Sequence, residues 1–581
     1  MKAGALQGDA RSRACAVLLA SVLAGPALGQ EAAPPPQPGL IERVAPAPTP
    51  SLGPALLPPE PPPTTGPGAL RRVALGAVRV AGNTALPAVV LLPPGLAGQD
   101  ATLAEIEAAR LAALAAYRAA GFAYVAVGAS LSAGAEGRAD LLLTVTEGFV
   151  ATLALEGEIG PAARQLRRFL EPLVGQRPLP HAALERALLL AGDIPGVTAR
   201  GLLRPVEGEP GALELLVRLE RQAVSGFASL DNRGNTATGA WQGLLVGQLN
   251  ALTHRGERSE LALFQSDQHG QSFGQLSHEV FLGASGLRLR GFAGAGRAAP
   301  GGALAALGYA GETRVAGLAL SQPLIRSRPR NLTLTAQLDA FESLVRLRPG
   351  DGAPRERASR DAVRALRLGV EGEVRDARLG FAPAAAVSTG SLRLHRGLEA
   401  LGASTGSHGT SARLGSDFGF FRAVAEASRT QPLFQPAEGW MVSAHVAGAV
   451  QWSDDALPPA EKFYLGGNRL GRGFFAGQLA GDRAIAGSLE IQAATQLPLP
   501  WSAEPRGLQL YLFRDEARAT DNASDAGARR LASWGGGVRL QLSDRAQVEL
   551  EGLRRITRQP DGAGVRELDA GAVFTRLLIR F

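Results

Sequence analysis

Gly402-Ala-Ser404-Thr-Gly406 has the G-x-S-x-G spacing of a serine nucleophile, and His408 follows closely. In hydrolases that spacing works on a strand–turn–helix elbow, which lifts the hydroxyl clear of its sheet. Here glycine, serine and threonine crowd the stretch between two strand-like segments, so it reads as a hairpin connection. Gly294-Ala-Gly296 is a fragment of a dinucleotide fingerprint, broken by Arg297 and Pro300. The chain has two lysines, Lys2 and Lys462, and neither follows a G-xxxx-G run, so the usual phosphate loop is missing. Its seven histidines show no metal-ligand spacing, and its one cysteine, Cys15, lies near the start. No enzyme, metal or cofactor is expected from these residues.

The net charge of +7 comes almost wholly from arginines spread along the chain. Without basic patches interleaved with aromatic residues, a nucleic-acid partner is not expected. Residues 1–29 have a basic start (Lys2, Arg11, Arg13), a short apolar run and Ala27-Leu28-Gly29, the pattern of a secretory signal. No other stretch approaches the ~20 apolar residues of a membrane helix. Residues 30–69 form a linker whose prolines, Pro34-Pro35-Pro36 and Pro61-Pro62-Pro63 among them, favour extended conformations and cannot build a core.

Two small α/β modules follow. Residues 70–148 open on an alternating strand, Val73–Val80. Thr102-Leu-Ala-Glu105 then makes a capping box for a helix that Gly121 stops, and two strands complete the module. Residues 149–221 broadly repeat that order, with helices predicted over Pro161–Leu173 and Pro180–Leu190.

From residue 222 the texture becomes strands separated by Gly, Asp, Asn and Ser clusters, with Trp241–Leu249, Ser259–Phe264, Leu332–Phe341 and Val363–Val370 among the candidates. In the last strand Val573, Thr575, Leu577, Ile579 and Phe581 share one face, with Phe574, Arg576, Leu578 and Arg580 on the other. Such a strand suits a wall between lipid and water. The 360 residues of 222–581, at about 22 per strand plus connection, give roughly 16 strands. The expected fold is a transmembrane β-barrel of about 16 antiparallel strands preceded by two small α/β domains.

This order resembles the two-partner secretion transporters, the outer-membrane haemolysin and haemagglutinin secretion/activation proteins, over about residues 70–581. In that family the modules are periplasmic POTRA domains. Val78-Arg-Val-Ala-Gly-Asn83, Tyr117-Arg-Ala-Ala-Gly-Phe122 and Val145-Thr-Glu-Gly148 are similar to motifs of a first POTRA domain. Leu184-Glu-Arg186 and Asp193-Ile-Pro195-Gly196-Val197 are similar to motifs of a second, and Leu230-Asp-Asn232 to the segment leading into the first barrel strand.

The sharpest likeness is Leu465-Gly-Gly467 followed by Gly471-Arg472-Gly473-Phe474. In the family an extracellular loop with an arginine–glycine–aromatic tip folds back into the lumen; here it would lie near 463–482. The partner motif, F-x-D-x-G, corresponds to Phe513-Arg-Asp515-Glu-Ala517. Alternation puts Phe513 and Asp515 on the lumen face and Leu508, Leu510 and Leu512 toward lipid. The resemblance thus implies an Arg472–Asp515 lock, with Gly473 letting the loop approach the wall. Two departures stand out: Gly471 replaces a residue that is often β-branched, and Ala517 replaces the final glycine. The prolines of 34–63 argue against the family's N-terminal plug helix.

The same resemblance implies a function. The protein would export a haemolysin- or adhesin-like exoprotein without ATP, having recognised it through the POTRA domains. It would sit among outer-membrane lipids, assembled there by the barrel-assembly machinery, which reads Phe581 as a C-terminal signal. A barrel-assembly factor shares this plan and is the alternative.

Overall fold

The computed structural model describes residues 69–581 apart from 158–159, 236, 349–352, 382–383, 406–410, 523–526 and 561–566. The expected signal peptide, the linker up to residue 68, Cys15, Gly406 and His408 lie outside the described residues.

The first module comprises β1 (Arg72–Ala81), β2 (Asp100–Thr102), β3 (Val125–Ala133) and β4 (Ala139–Glu147), in the order β2-β1-β4-β3. Its helix, Leu103–Ala119, starts at the capping box: Glu105 N–H donates to Thr102 Oγ1 at 3.2 Å, and Thr102 N–H to the Glu105 carboxylate at 2.7 Å. Ile106, Ala113, Leu114 and Tyr117 on one helix face pack on Leu75, Leu141, Leu143 and Val145 of the sheet. The second module has β5 (Phe149–Glu156), β6 (Val197–Pro205) and β7 (Ala212–Arg221), ordered β5-β7-β6 and covered by helices Ala163–Leu170 and His181–Gly192.

The rest closes into a barrel. Its strands begin with β8 (Val224–Asp231), β9 (Gln242–Asn250), β10 (Arg258–Ser266), β11 (Gln271–Phe281) and β12 (Arg288–Ala298). Next come β13 (Ala310–Arg326), β14 (Arg330–Leu347), β15 (Glu356–Asp376), β16 (Ala386–Gly397), β17 (Phe421–Phe434) and β18 (Met441–Trp452). Two short strands, β19 (Phe463–Leu465) and β20 (Leu479–Gly481), pair with each other inside a loop. The wall ends with β21 (Arg483–Leu497), β22 (Arg506–Thr520), β23 (Arg529–Gln541), β24 (Ala546–Arg555) and β25 (Gly571–Arg580). β25 pairs antiparallel with β8, closing a ring of 16 strands.

Alternation sorts each strand between lipid and lumen. Leu512 is 68 % exposed, while Tyr511 and Phe513 beside it are buried. Leu276, Leu318, Ile485 and Val573 lie on the same outer belt, and exposed Trp452, Phe434 and Phe581 sit at strand ends, as aromatic girdles do. No described helix is long and apolar enough to cross a membrane. β13, β14 and β15 run to 17, 18 and 21 residues, well past the ~10 that span a bilayer. Their far ends carry Arg346, Glu356, Arg357 and Arg360, so the hydrogen-bond ladder continues after the apolar alternation has stopped.

The second module is seated on the near-side turns of the barrel. Phe281 and Ala251 of the barrel belong to its core, and Phe281 meets Phe169 edge-on at 5.3 Å. Gln165, fully buried, donates to Gly283 O at 2.8 Å. Arg186 reaches the carbonyls of Ser285, Pro323 and Leu324. An apolar contact crossed by these hydrogen bonds packs the module against the barrel.

Candidate functional site

The connection between β18 and β21, residues 453–482, turns back into the lumen. It is longer than the expected 463–482, because its stem, residues 453–462, also packs inside. Leu465, Phe474 and Leu479 are almost wholly buried against Ala484, Ala486, Ala517, Ala519 and Leu531 of the wall. Ala517 therefore fills a contact with the loop where the family motif has glycine.

At the loop tip Arg472, only 6 % exposed, meets the wall through every face of its side chain. Nε and Nη2 donate to the two carboxylate oxygens of Asp515 at 3.1 and 2.9 Å, and the Arg472 N–H donates to Asp515 at 2.8 Å. Nη1 pairs with Glu490, and Nη2 also donates to Ser488 Oγ at 2.9 Å. The guanidinium lies 3.7 Å from the Phe513 ring centroid, a cation–π contact. Asp515 and Glu490 are 1 % and 2 % exposed, so each depends on this cation and its neighbours for compensation.

Glycine permits the approach. A Cβ on Gly473 would stand 2.5 Å from the Ser533 side chain, so any larger residue would push the tip off the wall. Gly471 has φ +81°, a backbone conformation that disfavours the β-branched residue often found there in the family.

Further groups hold the tip by its main chain. Arg233 donates to Arg472 O at 2.8 Å and pairs with Glu551 at 2.7 Å, its guanidinium 4.3 Å from the Phe574 centroid. Arg555 donates to Gly473 O at 2.5 Å. Tyr511 donates to Glu549 and Glu551 at 2.8 and 2.9 Å, and Arg539 joins Glu490 to Glu549. Alternation sets Tyr511, Arg539, Glu549, Glu551 and Phe574 on strand faces, but sequence reasoning gave none of these groups a role at the tip. For Glu490 a signal existed: Ser488, Glu490 and Gln492 alternate with Leu489 and Ile491, the pattern of a lumen-facing polar row.

Leu230-Asp-Asn232 was expected to lead into the first barrel strand; instead it ends that strand. Asn232 Oδ1 accepts from Thr575 N–H at 2.8 Å and its Nδ2 donates to Val573 O at 3.2 Å, prolonging the β8–β25 seam. At the other end of the seam, Phe581 and Gly226 exchange both backbone hydrogen bonds, at 2.9 and 3.0 Å.

The motif residues of the second module lie at its junction with the barrel. Asp193 takes two hydrogen bonds from Arg326, at 2.9 and 2.7 Å, and Ile194 is buried. Gly196, at φ +69°, leaves 2.3 Å between a hypothetical Cβ and Gln222 O, and its own carbonyl accepts from Gln222 N–H at 2.7 Å. Pro195 lines a cavity of about 410 Å³ beside this junction, with Glu220, Arg258 and Glu279.

In the first module Tyr117 of the second quoted motif, and Thr84 and Ala85 just after the first, meet at Glu147 of the third. Its carboxylate accepts from Thr84 N–H at 2.7 Å, Ala85 N–H at 2.9 Å, Tyr117 Oη at 2.5 Å and Thr84 Oγ1. Partial burial opposes its ionisation, but those four donors together hold its pKa below the ordinary carboxylate range.

Ser404 lies in the loop after β16, where its Oγ accepts from Ala362 N–H at 2.9 Å and its N–H donates to Ala362 O at 2.8 Å. It extends a strand edge. Among the described residues no group of three or more His, Cys, Asp or Glu is placed to hold a metal ion.

A closed barrel with an apolar outer belt, two small α/β modules and an arginine-tipped loop in the lumen define the class, a transmembrane-type β-barrel plugged by its own loop. Residues 401–551, which include the loop and its wall, match the Omp85 superfamily domain. The structure is similar to CdiB from Escherichia coli, with a TM-score of 0.69 and 19 % identity over 90 % of this chain and 93 % of that one. It is also similar to CdiB from Acinetobacter baumannii, with a TM-score of 0.61 and 18 % identity over 98 % and 97 %. No curated protein matches in sequence. The chain therefore shares the fold of these CdiB structures, a 16-stranded barrel preceded by two POTRA-like α/β domains, with the Omp85 match confined to the part of the barrel that holds the loop.

Proposed function

We propose that the protein recognises one large exoprotein in the periplasm and passes it unfolded through the barrel to the cell surface. The observation that carries this reading is the 453–482 loop, which enters a polar lumen and is fixed at its tip by an ion-paired arginine. A plug held in this way can be displaced without unfolding the wall. The free sheet edges, β3 in one POTRA domain and β6 in the other, can each accept an extended substrate segment through backbone hydrogen bonds.

No ATP is required in this scheme. Folding of the emerged segment outside blocks its return and gives the movement direction. The substrate class is a haemolysin- or adhesin-like protein, and the transporter itself catalyses no reaction. The barrel-assembly machinery places it in the membrane, with Phe581 as the signal.

Deleting the gene in its native host and comparing culture medium with outer-membrane fractions tests the proposal. The expected result is loss of one large protein from the medium with membrane barrels unchanged. A general fall in outer-membrane barrels would overturn it in favour of a barrel-assembly role.

A further inference from the structure

Arg367 on β15 and Arg422 on β17 flank His395 of β16 on the lumen wall, and both reach Glu461 of the loop stem. Glu461 is fully buried. Arg367 grips its carboxylate with two nitrogens, at 2.7 and 3.0 Å, and Arg422 Nη2 lies 2.7 Å from it. Arg422 also donates to the Glu461 carbonyl at 2.8 Å.

The polarity is the reverse of the tip lock. At the tip the loop brings the cation and the wall the carboxylates; here the wall brings the cations and the loop the carboxylate.

The wall's charges do not balance without the loop. Arg367 has a partner of its own in Asp339, through bonds of 2.7 and 2.9 Å. Among the described residues Arg422 pairs with no wall carboxylate; its other contacts are neutral, the Gln451 side chain at 2.6 Å and His395 Nδ1 at 3.0 Å. Among the described residues, Arg422 Nε and Nε2 of the adjoining His395 have no hydrogen-bond partner. The site thus carries unused donor capacity. It is also reachable, because Arg367, His395 and Arg422 line a lumen cavity of about 540 Å³.

We propose that Arg367 and Arg422 form a carboxylate-binding site on the translocation path, which Glu461 occupies as an internal stand-in while the loop is folded in. When the loop leaves, the site takes acidic side chains of an extended peptide. A guanidinium pair that loses its counter-ion in a partly dewatered wall must find another, so departure of the loop and arrival of an acidic residue are coupled. The proposal rests on the reading of the loop as a displaceable plug, but not on the identity of any exported protein.

The test measures ion conductance of the full-length protein in planar lipid bilayers, at low salt so that screening is weak. Wild type, E461Q and E461Q/R422Q are compared, with assembly verified by heat-modifiable gel mobility. The probes are a ten-residue glutamate peptide and a neutral glycine–serine peptide of equal length. E461Q is expected to conduct more than wild type and to be blocked by the glutamate peptide at about tenfold lower concentration than by the neutral one. Adding R422Q should abolish that preference.

Equal block by both peptides in E461Q overturns the proposal, as does an undiminished preference in E461Q/R422Q or an E461Q channel no more open than wild type. Should E461Q fail to assemble, E461D keeps the charge while shortening its reach. Preferential block of E461D by glutamate supports the site, and indifference overturns it. Loss of export in the gene-deletion experiment is a separate readout, so the two proposals fail independently.

Discussion

Arg472 neutralises two buried carboxylates at once, so its removal is the costliest single change at the tip. Arg472→Ala leaves Asp515 without its cation and Glu490 with Arg539 alone, at about 3–5 kcal/mol. Asp515→Ala is milder, because Arg472 keeps Glu490 and Ser488. The double variant should therefore match Arg472→Ala and fall short of the sum, as interacting residues do. Hydrogen exchange across 466–478 in assembled barrels measures this, and additive effects would rule out a shared network. Glu147 offers a second residue-scale case. Its depressed pKa means that its contribution is fully present above the ordinary carboxylate value of about 4.3 and is lost as pH falls through the lower folded value. Exchange of the Thr84 and Ala85 amides should accelerate over that acidic window in wild type. In Glu147→Ala it should be fast at every pH, and persistent protection would remove the role assigned to the carboxylate.

At the scale of elements, the Asp193–Arg326 pair ties the second POTRA domain to the end of β13. Both side chains are partly exposed, so breaking the pair by Asp193→Ala costs about 1 kcal/mol or less. Gly196→Val is harsher, since the residue sits at φ +69° against Gln222 O. Limited proteolysis at the module–barrel junction should show little change for the first variant and ready cleavage for the second. Much of this architecture is legible in sequence, because alternation alone divides Leu510 and Leu512 from Tyr511, Phe513 and Asp515. Strand ends are less so. β15 runs from Glu356 to Asp376, whereas apolar alternation suggests 363–370, since beyond the bilayer the backbone ladder persists with charged side chains. Arg233, Arg555 and Glu461 could not be assigned from sequence either. Their partners lie 239, 82 and 94 residues away, and nothing local distinguishes them from other lumen charges.

For the whole molecule, the packing of the second POTRA domain onto Ala251 and Phe281 makes the two truncations unequal. Removing 71–147 should abolish export while leaving an inserted, heat-resistant barrel. Removing 71–220 should also bare the near-side turns and lower that barrel's thermal resistance. Equal stability of the two shortened proteins would contradict the shared core. The arginine-rich composition has one more consequence. After the expected signal peptide the chain holds a single lysine, Lys462, at the loop stem, 2.6 Å from Asp521 and largely shielded. A lysine-specific protease would thus have one peptide bond to cut in the mature chain, and it lies on the loop proposed to move. Folded in, the loop protects that bond; swung out, it offers it to the enzyme, so two fragments on a gel would count the fraction of pores caught open.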